Sequence, residues 1–314
     1  MNHQNINRSA KNRFPDGVWP TMITPFTSSN KIDYSALEAI IEWYVDHKID
    51  GLFAVCQSSE MFDLSLEERT ALATFVKNHA PSHIPVIASG HVSDTIEGQI
   101  RELEKIAETG IDAFVLVTNR LARKDESDAC WKANLQKILD HIPDSIPLGL
   151  YECPFPYKRM LSIELLEWVV STGRFYFLKD TSCDERILNE RLTLLNGTRL
   201  KLYNANSATL YTSLKVGASG YSGVMANFHP ELYVKGLKLF QTSSADAEYC
   251  FHFLSVASLI EYQFYPVNAK YHLQREGLPV QLFSRVKDQN RFTAGQKLEV
   301  EQLRNVSNKM QSFF

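Results

Sequence analysis

Eight apolar runs of strand length recur between residues 17 and 225: GVWPTMITPF (17–26), GLFAVC (51–56), PVIASG (85–90), AFVLVT (113–118), PLGLYE (147–152), FYFLKD (175–180), KLYNAN (201–206) and GYSGVM (220–225). They are continuous rather than alternating, as strands covered on both faces should be. Helical patterns separate them. Residues 34–48 place Leu37, Ile40, Ile41, Tyr44 and Val45 on one face. Residues 65–79 open on Ser65 with Glu68 three positions later, a capping box. Residues 94–110 run from Asp94 as N-cap to Gly110 as terminator. Further helical patterns fill 125–141, 161–171, 184–195, 207–216 and 230–242.

Strict alternation of strand and helix through eight strands predicts an α/β fold, a closed parallel (β/α)8 TIM barrel over residues 15–243. An open doubly wound sheet is the rival, but its G-x-G-x-x-G phosphate turn is absent. Helical patterns at 246–264, 267–276 and 293–311 predict a C-terminal helical region, 244–314, packed on the barrel. The polar first 14 residues read as a flexible tail.

Composition narrows the function. The 314 residues carry a formal charge of −3, so no basic bias points to nucleic acid. Five scattered cysteines (Cys56, Cys130, Cys153, Cys183 and Cys250) form no C-x-x-C pair. They read as reduced cytosolic thiols, with neither a disulfide frame nor a zinc site. The N-terminus lacks the apolar stretch of a signal peptide, and no apolar run is long enough to span a bilayer. The expectation is a cytoplasmic protein without a membrane partner.

In such a barrel the active site is built where the strands end. Those ends carry Thr24; then Gln57, Ser58, Ser59 and Glu60; His91; Thr118, Asn119 and Arg120; Tyr151 and Glu152; Lys179; Asn204 and Asn206; and Gly220, Ser222 and Gly223. A polar mouth with one lysine, one arginine and one tyrosine suits a carbonyl compound that bears a carboxylate. Lysine attacks a carbonyl only when neutral, and burial at the end of an apolar strand lowers its pKa. The protonated imine that results is an electron sink, so a neighbouring carbon–carbon bond can break or form. A tyrosine within reach can carry protons, and Arg120 can hold a carboxylate through paired hydrogen bonds. Thr181, two residues beyond Lys179, is expected to line the same pocket. Each residue also has a plainer reading. Lys179 could be the first solvated residue of its strand, Tyr151 a core aromatic with its hydroxyl tied off, His91 a loop residue satisfied by backbone, and Arg120 part of a charged loop.

Five stretches in order resemble the N-acetylneuraminate lyase and dihydrodipicolinate synthase family of class I aldolases: GVWPTMITPF, GLFAVCQSSEMFDLSLEER, GLYECP, FLKDTS and VGASGYSGVMAN. The resemblance covers roughly residues 15 to 300. It implies a (β/α)8 barrel with a C-terminal helical region, assembled as a homotetramer or homodimer. It also implies pyruvate or another 2-oxo acid held as an imine on Lys179, with Tyr151 as proton carrier and no added cofactor or metal. Gln57 and Ser58 fall where the family has two hydroxyl residues that bind the pyruvate carboxylate and relay protons.

The chain departs from that pattern at informative places. The usual G-[TS]-[TS]-G-E is Cys56-Gln57-Ser58-Ser59-Glu60, so one relay hydroxyl is an amide and both glycines are gone. The tyrosine that reaches into a neighbouring subunit is replaced by Leu121. Pro156 stands where the synthase branch has an arginine, and Asn204-Ala205-Asn206-Ser207 stands where the lyase branch has acidic residues. Ser222 replaces an isoleucine. Glu152, in place of asparagine, and Arg120 are therefore expected to redefine the substrate. The leading expectation is a Schiff-base aldolase or lyase on a 2-oxo acid, with dihydrodipicolinate synthase as runner-up. The other readings are a non-catalytic metabolite binder and a metal-dependent aldolase using Glu60, His91 and Glu152.

Overall fold

The computed structural model describes residues 14–314, so all but one residue of the expected tail lies outside the described residues. Each of the eight apolar runs contains a strand: β1 (Gly17–Val18), β2 (Leu52–Val55), β3 (Val86–Ala88), β4 (Ala113–Val117), β5 (Leu148–Tyr151), β6 (Phe175–Asp180), β7 (Lys201–Asn204) and β8 (Gly220–Tyr221). All adjacent pairs are parallel, in the order β1-β8-β7-β6-β5-β4-β3-β2. The ring closes between β1 and β2 through a parallel bridge from Thr21 to Phe53. Met22 N donates to Phe53 O at 3.1 Å, and Phe53 N donates to Pro20 O at 3.1 Å. β1 is far shorter than its apolar run because Pro20 has no N–H to continue a ladder. On its other side the closure needs glycine: a Cβ on Gly220, at φ +150°, would sit 1.9 Å from Gly17 O.

The helices that follow strands β1 to β8 are α1 (Tyr34–Asp46), α2 (Leu66–His79), α3 (Ile96–Ala107), α4 (Asp128–Leu139), α5 (Ile163–Ser171), α6 (Glu185–Leu195), α7 (Leu210–Val216) and α8 (Pro230–Gln241). Ser65 and Glu68 form the capping box read from the sequence. Asp94 does not cap α3. Thr95 does, with its side chain accepting from Gly98 N, because Asp94 is paired with Arg120 instead.

Beyond the barrel lie α9 (Asp246–Ala257), α10 (Val267–Arg275) and α11 (Ala294–Phe313). The helix expected over 246–264 stops early. After Ala257 the chain tightens into a 3-10 turn, Ser258–Tyr262, and leaves helical geometry before Pro266. A proline disfavours the helical region for the residue before it. The consequence is that Glu261, Tyr262 and Tyr265 wall the barrel mouth.

The barrel interior is aromatic. Phe177 stacks on Tyr203 with ring centroids 4.3 Å apart and meets Trp19 edge-on at 5.2 Å. Side chains two apart on a strand share a face, so Lys179 stands directly above Phe177. An apolar layer therefore forms the floor beneath the lysine.

Candidate active site

A cavity of about 720 Å³ opens at the C-terminal end of the barrel. β6 delivers Lys179, and β5, whose Tyr151 pairs with Lys179 in the ladder, delivers Tyr151. The Lys179 Nζ lies 4.5 Å from the centroid of the Tyr151 ring and 6.0 Å from that of Phe53. Lys179 is 4 % exposed and has no ion-pair partner within 4 Å among the described residues. Burial lowers its pKa to about 8, with only weak opposition from Cys56, Cys153 and Glu261. Roughly a quarter of the amine is then neutral at pH 7.5, against about a thousandth for an unperturbed lysine.

The Tyr151 hydroxyl donates to Gln57 Oε1 at 3.4 Å, and the Cys153 thiol reaches the same oxygen at 3.4 Å. Burial pushes the Tyr151 pKa upward, so the phenol stays protonated. Gln57 and Ser58 sit in a 3-10 turn after β2. Where the family pattern has glycine, Ser59 holds this turn with its side chain: Cys56 N donates to Ser59 Oγ at 2.8 Å, and Ser59 Oγ donates to Cys56 O at 2.7 Å. Glu60 takes the left-handed conformation, φ +63°. Its carboxylate binds Lys270 Nζ at 2.8 Å, Ser284 Oγ at 3.0 Å and Arg285 N at 2.6 Å. These bonds tie the site loop to the C-terminal region.

Of the residues singled out from sequence, Lys179, Tyr151, Gln57, Ser58, Thr181 and Asn206 line this one cavity. Thr181 Oγ1 donates to Glu152 O at 2.7 Å, and Asn206 Oδ1 accepts from Thr209 N at 3.0 Å. Four others lie elsewhere. Thr24 is fully buried and donates to Ser59 O at 2.9 Å, bracing the loop from behind. Ser222 is buried behind Gly223, its backbone N bonded to Asn204 O at 2.9 Å. Arg120 points into a separate cleft and pairs with Asp94. Glu152 turns away from the cavity and pairs with Arg191, 2.7 Å and 2.9 Å for its two oxygens, and also accepts from Leu161 N at 2.8 Å. Leu121 is fully buried within its own subunit.

The three residues weighed as metal ligands are likewise committed separately. Glu60 holds Lys270, and Glu152 holds Arg191. His91 is kept neutral by burial, its pKa lowered to about 4, with Nε2 accepting from Val117 N at 2.6 Å and Nδ1 against Gln99 Oε1 at 2.9 Å.

Sequence reasoning missed the cavity's outer wall. Glu261 comes from the segment read as helix, Tyr265 from the residues just after it, and Lys158 and Lys287 from loops. Ser58 Oγ donates to Thr21 Oγ1 at 3.2 Å beside the Tyr265 hydroxyl, and Asn227 Nδ2 donates to that hydroxyl at 3.3 Å. The available signal was Pro266, which should have ended the helix sooner.

The model of the dihydrodipicolinate synthetase family matches residues 14–291. The chain belongs to this family. A 4-hydroxy-tetrahydrodipicolinate synthase of Clostridium perfringens is 26% identical over 216 residues, covering 68% of this chain and 72% of the relative. One from Staphylococcus epidermidis is 26% identical over 219 residues, 69% of this chain and 71% of the relative. Among solved structures, YagE from E. coli K12, a prophage protein of the same family in complex with pyruvate, superimposes with a TM-score of 0.83 at 20% identity. That match covers 94% of this chain and 98% of YagE. CdNal from Clostridium difficile, in complex with mannosamine, gives 0.82 at 18% identity over 93% and 99% of the two chains. The family and the eight-stranded barrel expected from the sequence therefore both hold.

Proposed function

We propose that this protein is a class I aldolase or lyase that acts on pyruvate or another 2-oxo acid through an imine on Lys179. Family membership supports the enzyme class. The observation that carries the residue assignment is a buried lysine, its pKa lowered to about 8, standing over the Tyr151 ring in the barrel-mouth cavity. The neutral amine attacks the C2 carbonyl, and loss of water gives a protonated imine that acidifies C3. Tyr151 carries protons at the reacting carbons, with Gln57 orienting its hydroxyl. Ser58 and Tyr265 supply hydroxyls for the substrate carboxylate, a task that no arginine on the cavity wall performs among the described residues.

Dihydrodipicolinate synthesis is the second reading, favoured by the curated relatives of that name. Pro156 lies in the separate Arg120 cleft and offers no carboxylate clamp there, whereas Lys158 on the cavity wall could meet a second carboxylate. The assembly is a homotetramer or homodimer. The exposed apolar residues Val256, Leu259 and Tyr262 offer a face for it. The compartment is the cytoplasm, consistent with five free cysteines. No helix among the described residues is long and apolar enough to cross a membrane.

Exchange of the pyruvate methyl protons in D2O, followed by NMR, tests the imine without needing a second substrate. The expected result is enzyme-dependent loss of the methyl signal that disappears in Lys179→Ala. Exchange that persists in Lys179→Ala, or no exchange at all, overturns the reading.

A further inference from the structure

Tyr265 brings a hydroxyl into the cavity from outside the barrel. Its neighbours fix which way that hydroxyl works. Asn227 is fully buried, and its amide cannot turn over. Oδ1 accepts from the Tyr44 hydroxyl at 2.5 Å, while Nδ2 donates to Thr21 O at 2.9 Å and Val224 O at 2.8 Å. Turned over, the amide would set its oxygen against two carbonyls. Nδ2 is therefore the atom that meets Tyr265, and it also donates to the phenol oxygen at 3.3 Å. That oxygen is the acceptor in this contact, so the phenol proton is left over. Beside it, Ser58 Oγ donates its own proton to Thr21 Oγ1 at 3.2 Å. The Tyr265 proton is thus free for Ser58 Oγ or for a ligand. Burial pushes the phenol pKa up, so the proton stays in place.

One chain holds this hydroxyl and the lysine together. Tyr265 and Lys179 line the same cavity of about 720 Å³. Lys270 on α10, five residues after Tyr265, binds Glu60, two residues after Ser58, at 2.8 Å, and neither side chain is more than 1 % exposed. Asn268 Nδ2 donates to Ile260 O at 2.9 Å across the turn that carries Tyr265. These contacts join the C-terminal region to the loop after β2 of the same subunit. Leu121 stands where the family has a tyrosine directed at a neighbouring subunit. It carries no hydroxyl and is fully buried in its own subunit.

We propose that the Tyr265 hydroxyl takes the carboxylate of the imine-bound substrate for the Lys179 of its own chain, so that each chain carries a complete pyruvate site without a residue from a partner copy. This deepens the function proposed above and rests on its Lys179 imine. The hydrogen bonds run in one direction, from Tyr44 to Asn227, from Asn227 to Tyr265, and from Tyr265 to the carboxylate. Each bond in such a chain polarises the next, which makes the phenol a stronger donor. The donor is also neutral, so it holds an anion without setting a second cation beside Lys179.

The test is borohydride trapping of pyruvate on Lys179, read by mass over a range of pyruvate concentrations. Tyr265→Phe keeps the ring and removes the hydroxyl. The concentration at half-maximal trapping is expected to rise about 10- to 100-fold, as for loss of one hydrogen bond to a charged group. The limiting rate and the denaturant midpoint should stay near wild type, which a merely structural role would not allow. An unchanged half-maximal concentration overturns the proposal, and so does a loss confined to the limiting rate. A second arm co-expresses Lys179→Ala and Tyr265→Phe chains under different tags and purifies the mixed assembly through both. Only the Tyr265→Phe chain can then form an adduct. Its weakened concentration dependence is expected to persist, because the intact Tyr265 belongs to the other chain. Absence of mixed assemblies supports the same conclusion, since a chain that does not associate has only its own residues. Recovery of the wild-type dependence in the mixed assembly overturns the proposal. A wild type that forms no adduct at all overturns the Lys179 imine, and the proposal with it.

Discussion

Glu152 and Arg191 form a fully buried two-pronged ion pair directly behind strands β5 and β6. Arg191 also reaches Asp180, so one guanidinium holds the residue after Tyr151 and the residue after Lys179. Burial pulls the Arg191 pKa down, but the two carboxylates outweigh it and keep the guanidinium charged. Removing it would strand two buried carboxylates. Arg191→Met is predicted to destabilise the fold by about 3–5 kcal/mol, read as a shift of the denaturant midpoint. Arg191→Lys should recover only part of that loss, because an ammonium cannot reproduce the planar fork.

Lys179 is expected to cost stability in return for reactivity. Its folded pKa of about 8 lies below the ordinary 10.5, so the unfolded chain binds more protons between those values. The cost is full below pH 8 and fades as pH rises toward 10.5. Lys179→Met is therefore predicted to stabilise the protein at pH 7 by about 2–3 kcal/mol. The gain should shrink between pH 8 and 10 in chemical denaturation curves. A gain that does not change with pH would mean that the amine is not desolvated.

Tyr151 should separate proton transfer from imine formation. Tyr151→Phe keeps the ring under the amine but removes the hydroxyl that meets Gln57. Turnover is predicted to fall about 10²–10³-fold, with pyruvate trapping much less affected. Equal loss of both in stopped assays would assign Tyr151 a positioning role.

Arg120 is predicted to be dispensable for pyruvate. Its pairing with Asp94 in a separate cleft keeps it away from Lys179. Arg120→Ala should change the concentration dependence of pyruvate trapping by less than about twofold, since a rim contact of this kind contributes little.

The barrel was legible in the sequence because continuous apolar runs alternate with capped helical patterns, and both signals are local. Lys179, Tyr151, Gln57 and Ser58 could be brought together because a barrel places all strand ends at one mouth. Glu152 and Arg120 could not be placed this way. Adjacent residues on a strand point to opposite faces, so Glu152 points away from the cavity that Tyr151 lines, and its partner Arg191 lies 39 positions away. Arg120 was drawn off by Asp94, which the sequence reading had assigned to a helix cap. Glu261 and Tyr265 were hidden for a related reason. Their segment has helical composition, and only its packing against the barrel, with Pro266 behind it, turns it into a wall of the site.

Borohydride reduction in the presence of pyruvate, followed by peptide mass analysis, tests the central claim most directly. The account predicts one stable pyruvate-derived adduct, located on Lys179, formed faster as pH rises through about 8 and absent in Lys179→Ala. No adduct under these conditions, or an adduct on another lysine such as Lys158 that persists in Lys179→Ala, would contradict it.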